Sequence, residues 1–257
     1  MLASERRNYI IQKLNEFGSV RVNEIARGLQ VSTETVRKDL SALEKEGLLR
    51  KEFGGAVATF SQGGERPVEL RSMSMRTEKE WIARTALSLL PADGVVFVDS
   101  GSTLLSFAKI IPYCPRLTFI TNSIPAMAPL VSSRNVAYLL GGEFNEITQS
   151  TTGFWASQNI SSLDIDVAFL GNSGCAFRTG PCVKQSNDAQ LKQDIIRHSK
   201  KVVVMFDHSK MSTNAICQYT TWDQIHVIIT DVPLEPSLLE QIPATTEILI
   251  SEPAPPF

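Results

Sequence analysis

Apolar residues recur at intervals of three and four along the first fifty residues, which predicts amphipathic helices. A first helix is expected from a cap at Ser4 to about Glu16, with Gly18 as its stop. A second helix is expected behind a cap at Asn23 and runs to about Leu29. The apolar residues expected on the inner sides of these helices are Ile10, Leu14, Phe17, Ile25 and Leu29.

The third helical segment runs from a cap at Ser32 to near Gly47 and has two different sides. Val36, Leu40 and Leu43 form an apolar stripe for burial. At about a hundred degrees per residue, the polar residues on the opposite side and its flanks are Glu34, Thr35, Arg37, Lys38, Ser41 and Lys45. A short turn joins this helix to the second one, and such a pair is typical of a helix-turn-helix. A solvated charged face is the alternative interpretation of the helix taken alone.

The segments 48–53 and 56–60 are expected to form two strands joined by a tight turn at the glycine pair 54–55. A hairpin in this position is the wing of a winged helix, and Arg50 and Lys51 lie where cations meet a sugar-phosphate backbone. A solvated hairpin is the alternative. The residues expected to contact DNA are Ser32, Thr33, Glu34, Thr35, Arg37, Lys38, Arg50 and Lys51.

Residues 59–75 are rich in Ser, Gly, Gln and Glu and have no sustained apolar period, so they are predicted to be a linker. The linker divides a domain of residues 1–58 from a domain of residues 76–257. A helix over about 77–90 opens the second domain. Its inward residues are expected to be Trp81, Ile82, Ala86 and Leu89.

In the rest of the second domain, apolar runs of strand type alternate with helical segments. Helices are expected over about 104–111 and 189–199. The predicted strands are 95–98, 117–121, 136–140, 167–170, 201–206 and 226–230, with 247–250 as an optional edge. Buried apolar strands that alternate with helices imply right-handed βαβ crossovers. The fold class is therefore α/β with a Rossmann-like, mostly parallel sheet.

Composition and charge agree with a globular protein of two domains. The chain has 257 residues, is 43% hydrophobic and carries a net charge of −2. Residues 1–57 hold ten Lys/Arg and eight Asp/Glu, which leaves fifteen and nineteen for the remainder, or about +2 in front and −4 behind. This asymmetry weakly favours a DNA-facing first domain.

The four cysteines form no CxxC pair and no Cys/His cluster with zinc spacing, so we expect reduced thiols and no metal site. No apolar signal region opens the chain, and no apolar run approaches the length of a bilayer. These features predict a cytoplasmic protein.

Polar, small and glycine residues follow the predicted strands, where open parallel sheets bind ligands. The segment Asp99–Thr103 leaves a strand and opens a helix: Gly101 allows close backbone approach, and Ser102 and Thr103 offer hydroxyls beside free N–H groups. We therefore expect a phosphate to bind there. An ordinary strand-to-helix turn is the alternative interpretation.

Lysines are the candidate cations for such an anion. Lys210 lies beside Asp207, which is placed to orient it or to accept from a sugar hydroxyl. Lys192 and Lys79 are further candidates, for which a surface lysine on an exposed helix is the alternative. The residues expected to bind an effector are Lys79, Asp99, Gly101, Ser102, Thr103, Asn122, Gly142, Lys192, Asp207 and Lys210.

The first domain contains Arg6, Ser32, Thr35, the run Val36–Leu40 and the glycine pair 54–55 at fixed spacings. These residues give the chain a resemblance to the DeoR family of bacterial transcriptional regulators. In the second domain it lies in segments 99–103, 121–123 and 141–142, in Gly153, Asp166 and Lys192, and in Asp207–Lys210. It implies a sensor domain related to ribose-5-phosphate isomerase, which binds a phosphorylated sugar or a similar metabolite.

Two loops depart from the family pattern. Residues 171–174 read GlyAsnSerGly where many members read GlyAlaAspGly, so Ser173 replaces an acid. Residues 180–186 lack two threonines and an acidic residue, the latter replaced by Ser186. The resemblance implies that these loops meet the non-phosphate end of the ligand, so the sugar cannot be transferred from the family.

The leading hypothesis is a transcriptional regulator of carbohydrate-metabolism genes, expected to be a repressor, that binds operator DNA as a dimer or tetramer. A phosphorylated effector is expected to control it, without a cofactor. The alternative is a sugar-phosphate isomerase-like enzyme with a DNA-binding appendage, but the two loops lack a carboxylate for use as a base. A third hypothesis is a second domain that only oligomerises.

Overall fold

The computed structural model describes residues 2–58 and 66–253. The chain divides into two compact units, residues 1–74 and residues 75–257. Within the described residues, no helix is both long and apolar enough to cross a membrane.

The first unit is a helix-turn-helix with a three-stranded sheet. Its elements are α1 (Ala3–Phe17), β1 (Ser19–Arg21), α2 (Val22–Leu29), α3 (Thr33–Lys45), β2 (Leu49–Glu52), β3 (Gly55–Ala58) and α4 (Val68–Met73). The sheet order is β1-β3-β2, with antiparallel pairs. The apolar stripes of the three helices meet in one core, so the predicted winged helix is confirmed for these residues. Thr59 and Phe60 of the predicted second wing strand lie outside the described residues.

Two predicted caps are wrong. Ser4 lies inside α1, whose N-cap is Leu2, because the Glu5 carboxylate accepts the Leu2 N–H at 2.8 Å. Asn23 lies inside α2, because the chain turns from β1 directly into the helix and the Val22 N–H donates to the Gly54 carbonyl at 2.9 Å. Ser32 caps α3 as predicted, and its Oγ accepts the Thr35 N–H at 3.1 Å.

Helix α4 lies within the segment predicted as a linker, where no helix was expected. Val68 and Leu70 are buried, and Leu70 belongs to the core of the first unit. A helix of six residues is too short to show a sustained apolar period, so the composition of the segment concealed it.

The second unit contains a seven-stranded parallel sheet and its helices. The elements up to the centre of the unit are α5 (Arg76–Leu87), β4 (Gly94–Val98), α6 (Ser102–Ala108), β5 (Leu117–Thr121), α7 (Ile124–Ser132), β6 (Val136–Leu139), β7 (Glu143–Asn145), β8 (Ser150–Thr152) and α8 (Phe154–Ile160). They are followed by β9 (Ile165–Gly171), β10 (Cys182–Val183), α9 (Ser186–Arg197), β11 (Ser199–Met205), β12 (Cys217–Gln218), β13 (Val227–Thr230), α10 (Pro236–Leu239) and β14 (Glu247–Ile250). Two short 3₁₀ helices cover His208–Lys210 and Trp222–Gln224.

The strand order of the main sheet is β14-β13-β11-β9-β4-β5-β6, and all neighbours are parallel. One core, with residues of α5, α6 and α7, covers one face of this sheet, and a second core, with residues of α8 and α9, covers the other. The predicted parallel α/β fold is confirmed, and all seven predicted strands are present. The antiparallel pairs β7–β8 and β10–β12 were not predicted because strands of two or three residues carry no periodic signal.

Strand β6 corrects the expectation of uniformly buried strands. It lies at an edge of the sheet, and Val136, Tyr138 and Leu139 are all exposed. An edge strand has a neighbour on one side only, so an apolar sequence does not ensure burial.

Candidate functional site

Helix α3 presents a polar face to solvent. Val36, Leu40 and Leu43 are fully buried, while Glu34, Arg37 and Lys38 are exposed. Arg37 and Glu34 form only a loose ion pair, with 3.9 Å between Nη1 and Oε2. One shallow depression on this face is lined by Glu34, Arg37, Lys38, Ser41, Ala42 and Lys45. The predicted contact residues Ser32, Thr33 and Thr35 lie at the first turn of the same helix.

A buried ion pair fixes α3 against α1. Asp39 is 3% exposed, and its carboxylate accepts from Arg6 Nε at 2.8 Å and Arg7 Nε at 3.4 Å. Sequence analysis noted Arg6 and Asp39 only as parts of a signature. The structure gives the reason they occur together: the pair sets the orientation of the helix whose opposite side is polar.

The wing is anchored to the same helix. The Lys51 ammonium donates to Ser41 Oγ at 3.0 Å, and the Lys51 N–H donates to Glu44 Oε1 at 2.8 Å. Arg50 is exposed and pairs with Glu52 at 2.9 Å. The structure thus places Lys51 beside the polar face of α3, and all eight predicted DNA-contact residues lie on α3, on its cap or on β2.

In the second unit, the polar residues that follow the strands form a row at the carboxyl edge of the sheet. In strand order the row is Asp231, Asp207, Asn172, Asp99 and Asn122, after β13, β11, β9, β4 and β5, and the predicted Gly142 follows β6. Asp207, Asp99 and Asn122 are completely buried. Two lysines reach this row from opposite faces of the sheet, because Lys79 is on α5 and Lys192 is on α9.

The predicted phosphate loop lies at the centre of this row. Gly101 has a φ of +118°, which favours glycine, and a Cβ added there would meet nothing within 4 Å. Ser102 and Thr103 are buried at the start of α6. The loop therefore combines an open approach to its backbone with two buried residues that carry hydroxyl groups.

Lys192 does not lie on an exposed helix face. It is 2% exposed, forms an ion pair with Asp99 Oδ2 and lies 3.6 Å from Asp188 Oδ1 and 5.5 Å from the centre of the Tyr219 ring. Burial acts to lower its pKa, but the two carboxylates outweigh burial and raise the pKa of Lys192 above the usual lysine value. The surface-lysine alternative is therefore wrong, and the charge of Lys192 is already matched by protein groups.

Lys79 is also buried, so the surface alternative is wrong for this residue too. Its Nζ lies 3.4 Å from Asp207 Oδ2. Burial opposes ionisation of Asp207, but the charges of Lys79 and Lys210 outweigh it and lower its pKa. Lys210 is half-buried, on the 3₁₀ helix after β11. It is the most accessible of the three candidate lysines.

His208 and Asp231 form a pair that sequence analysis missed. Asp231 is buried; its carboxylate accepts the His208 N–H at 2.7 Å and lies 2.5 Å from His208 Nδ1. The hydrogen bond to Asp231 raises the pKa of His208, aided by the charges of Asp207 and Glu78. The residues are 23 apart, and no local pattern joins them.

The His208–Asp231 pair predicts a pH dependence of stability. Because the folded-state pKa of His208 is raised, its stabilising effect is complete below the ordinary histidine value of about 6.5 and is lost as the pH rises through the folded-state value. Denaturant unfolding followed between about pH 6 and pH 9 should show this loss in the parent protein and not in His208→Gln. If the free energy of unfolding changed equally with pH in both proteins, His208 would not be the cause of the pH dependence.

The side chain of Asn172, which sequence analysis did not select, links the two loops that depart from the family pattern, residues 171–174 and 180–186. Its Oδ1 accepts the N–H groups of Gly174 at 2.9 Å and Cys182 at 3.1 Å. Within the described residues, Asn172 Nδ2, Asn122 Oδ1 and Asp99 Oδ1 are buried without a hydrogen-bond partner. Buried polar atoms of this kind are atoms that a bound polar molecule would satisfy.

Gly142 lies in a crowded position. A Cβ there would come within 2.6 Å of the Thr152 carbonyl oxygen and 3.0 Å of Ala156 Cβ. The geometry therefore explains this glycine by close packing, whereas Gly101 faces open space.

Among the described residues, no three His, Cys, Asp or Glu side chains come together in a way that suits a metal ion.

Comparison with known proteins identifies related sequences for both units. The family model described as DeoR C terminal sensor domain matches residues 74–232, and the model described as DeoR-like helix-turn-helix domain matches residues 6–62. The chain is 30% identical over 242 residues to the HTH-type transcriptional regulator GolR of Listeria innocua, covering 94% of this chain and 95% of that protein. It is 30% identical over 240 residues to the putative aga operon transcriptional repressor of Escherichia coli O157:H7, covering 92% and 89%.

Among solved structures, a similar chain is ribose 5-phosphate isomerase a from Methanocaldococcus jannaschii. The match covers 54% of this chain and 56% of that chain, with 19% identity and a TM-score of 0.39.

Proposed function

Because the chain belongs to the DeoR family of helix-turn-helix transcriptional regulators, we propose that it represses carbohydrate-metabolism genes and that a phosphorylated sugar or related metabolite controls it. The relatives it matches over most of its length are transcriptional regulators, and one is described as an operon repressor. This relationship favours regulation over the isomerase-like alternative.

The observation that supports effector control is the row of buried polar groups at the carboxyl edge of the sheet. Asp99, Asn122 and Asp207 are completely buried there. Among the described residues, Asp99 Oδ1 and Asn122 Oδ1 have no hydrogen-bond partner, which costs free energy unless a ligand satisfies them. The adjacent Gly101 faces open space, and Lys210 is a half-buried cation. A phosphate bound against the loop and Lys210, with its organic part towards Asp207 and Asn172, suits these groups.

Effector binding alters DNA affinity only if it favours one state of the protein over another. A coupling of about 1–3 kcal/mol changes operator affinity by roughly 5- to 150-fold. The first unit ends at Ser74 and the second begins at Met75, immediately before α5, so we propose that the chain at this junction transmits the effect.

The proposed function is tested with the full chain and a DNA site selected by it from random sequence. Binding is measured by fluorescence anisotropy with triose, pentose, hexose and polyol phosphates and with non-sugar phosphorylated compounds. We expect one class to weaken DNA binding and to raise the melting temperature of the protein. If the protein selected no DNA site, the proposal that it is a transcriptional regulator would be contradicted. If no compound changed its affinity for the selected site, the proposal of control by a phosphorylated metabolite would be contradicted.

We predict that Arg37→Ala weakens binding to the selected DNA site. The guanidinium is exposed on the polar face of α3 and held only by a loose ion pair. If it contacts a base, its loss should cost about 1–3 kcal/mol and relax specificity at one position. Anisotropy titrations against single-base variants of the site measure both effects.

Lys51→Ala is the matched comparison on the wing. A phosphate contact carries no sequence information, so this change should weaken binding to all sequences equally and reduce the dependence of affinity on salt. If both variants bound like the parent, the proposed DNA-contact face would be wrong.

A further inference from the structure

The two edges of the main sheet differ in how well they are protected against pairing with another strand. Edge strand β14 begins with the exposed Glu247, and charged residues on an edge discourage pairing with other strands. Edge strand β6 and the three residues after it, 136–142, contain no charged residue and no proline. Tyr138 is 60% exposed, and Val136 and Leu139 are exposed as well. An unprotected apolar edge is a place where another chain can pair.

Three exposed aromatic side chains extend this surface beyond β6. Phe144 is on β7, and Phe154 and Trp155 open α8; Trp155 is 72% exposed. Gly142, just after β6, packs so closely on Ala156 of α8 that an added Cβ would lie 3.0 Å from it. The helix start therefore lies next to the end of the edge strand. The residues of this apolar edge surface are Val136, Tyr138, Leu139, Phe144, Phe154 and Trp155.

The aromatic side chains of this surface supply part of the area that a protein interface needs. An aromatic side chain buries roughly 150–250 Å² when it is fully covered. Four such side chains, each more than half exposed, thus offer roughly 400 Å², about half of the ~800 Å² that each partner contributes to a standard interface. Exposed aromatic residues are enriched in interfaces of this kind.

We propose that two copies of the chain form a dimer through the apolar edge surface. An edge strand matches an identical strand in antiparallel orientation about a twofold axis, because each supplies the N–H and carbonyl groups the other requires. The strand is uncharged, so pairing with itself brings no like charges together. The exposed charges beside it are Arg134 before the strand and Glu143 and Glu146 after it, which sum to −1, so the surface lacks the positive charge that suits DNA.

Sedimentation of the full chain in the absence of DNA tests the proposal. We expect the parent to be a dimer at micromolar concentration, and Tyr138→Arg or Trp155→Arg to raise the dimer dissociation constant by roughly 30-fold or more, because buried central aromatics dominate interface energies. The matched control is Phe177→Arg, an aromatic that is 99% exposed on the loop after β9, which should leave the dimer unchanged.

Tryptophan emission gives a second measurement. Trp155 is exposed in the single chain, so dilution of the dimer should shift the emission to longer wavelength, and Trp155→Phe should remove the shift. A monomeric parent at micromolar concentration, or dissociation by Phe177→Arg and not by Tyr138→Arg, would overturn the proposal. Because no DNA is present, this outcome is independent of operator binding.

Discussion

Replacing Lys192 by methionine is expected to lower the free energy of unfolding of the second unit by about 3–5 kcal/mol. Lys192 and Asp99 are both buried, and their ion pair joins α9 to the end of β4. Methionine has a similar length but no charge, so it leaves the Asp99 carboxylate buried without its cation. Removal of one partner from a buried pair is much more costly than the net contribution of the pair.

Tryptophan fluorescence during denaturant unfolding measures this effect selectively, because all three tryptophans, Trp81, Trp155 and Trp222, lie in the second unit. Lys200→Met is the control: Lys200 also pairs with an aspartate, Asp166 at 2.7 Å, but it is exposed, and exposed pairs contribute little. If the Lys192→Met and Lys200→Met variants had equal free energies of unfolding, burial of the Lys192–Asp99 pair would not make the loss of its lysine more costly.

Sequence patterns predicted the elements whose signals are local. The stripe Val36, Leu40 and Leu43 predicted the buried side of α3, and the Ser32 cap predicted its start, because each depends on residues within a few positions. The apolar runs predicted every strand of the main sheet. The row of polar residues followed from topology, since parallel strands bring their carboxyl ends to one edge.

The features that escaped prediction depend on distant residues. Asp39 meets Arg6 over 33 positions, and His208 meets Asp231 over 23, so no local spacing reveals either pair. The exposure of β6 depends on which strand is last in the sheet.

Lys192 is different, because a local signal for it existed. It lies three residues from both Ala189 and Ile195, on the buried side of α9, and helical spacing already placed it inward. The general expectation that a lysine is exposed concealed this signal. A lysine on the apolar side of a helix is better interpreted as the partner of a buried carboxylate.

Lys210→Met is expected to remove most of the response to effector while leaving the DNA affinity of the effector-free protein unchanged. Unlike Lys192 and Lys79, Lys210 is half-buried, at the carboxyl edge of the sheet. A hydrogen bond between charged groups contributes about 1.5–3 kcal/mol, so its loss should raise the effector concentration for half-maximal release by roughly 10- to 150-fold.

Two further variants separate charge from geometry. Lys210→Arg keeps the charge but replaces a compact ammonium by a planar fork, so its response should be intermediate. Lys109→Met removes a lysine on the exposed end of α6 and should respond like the parent. Anisotropy titrations of all four proteins with the active compound from the panel measure these differences. A Lys210→Met protein with the parental response would exclude Lys210 from the effector site and move the search for its cation to Lys79, which already lies against Asp207.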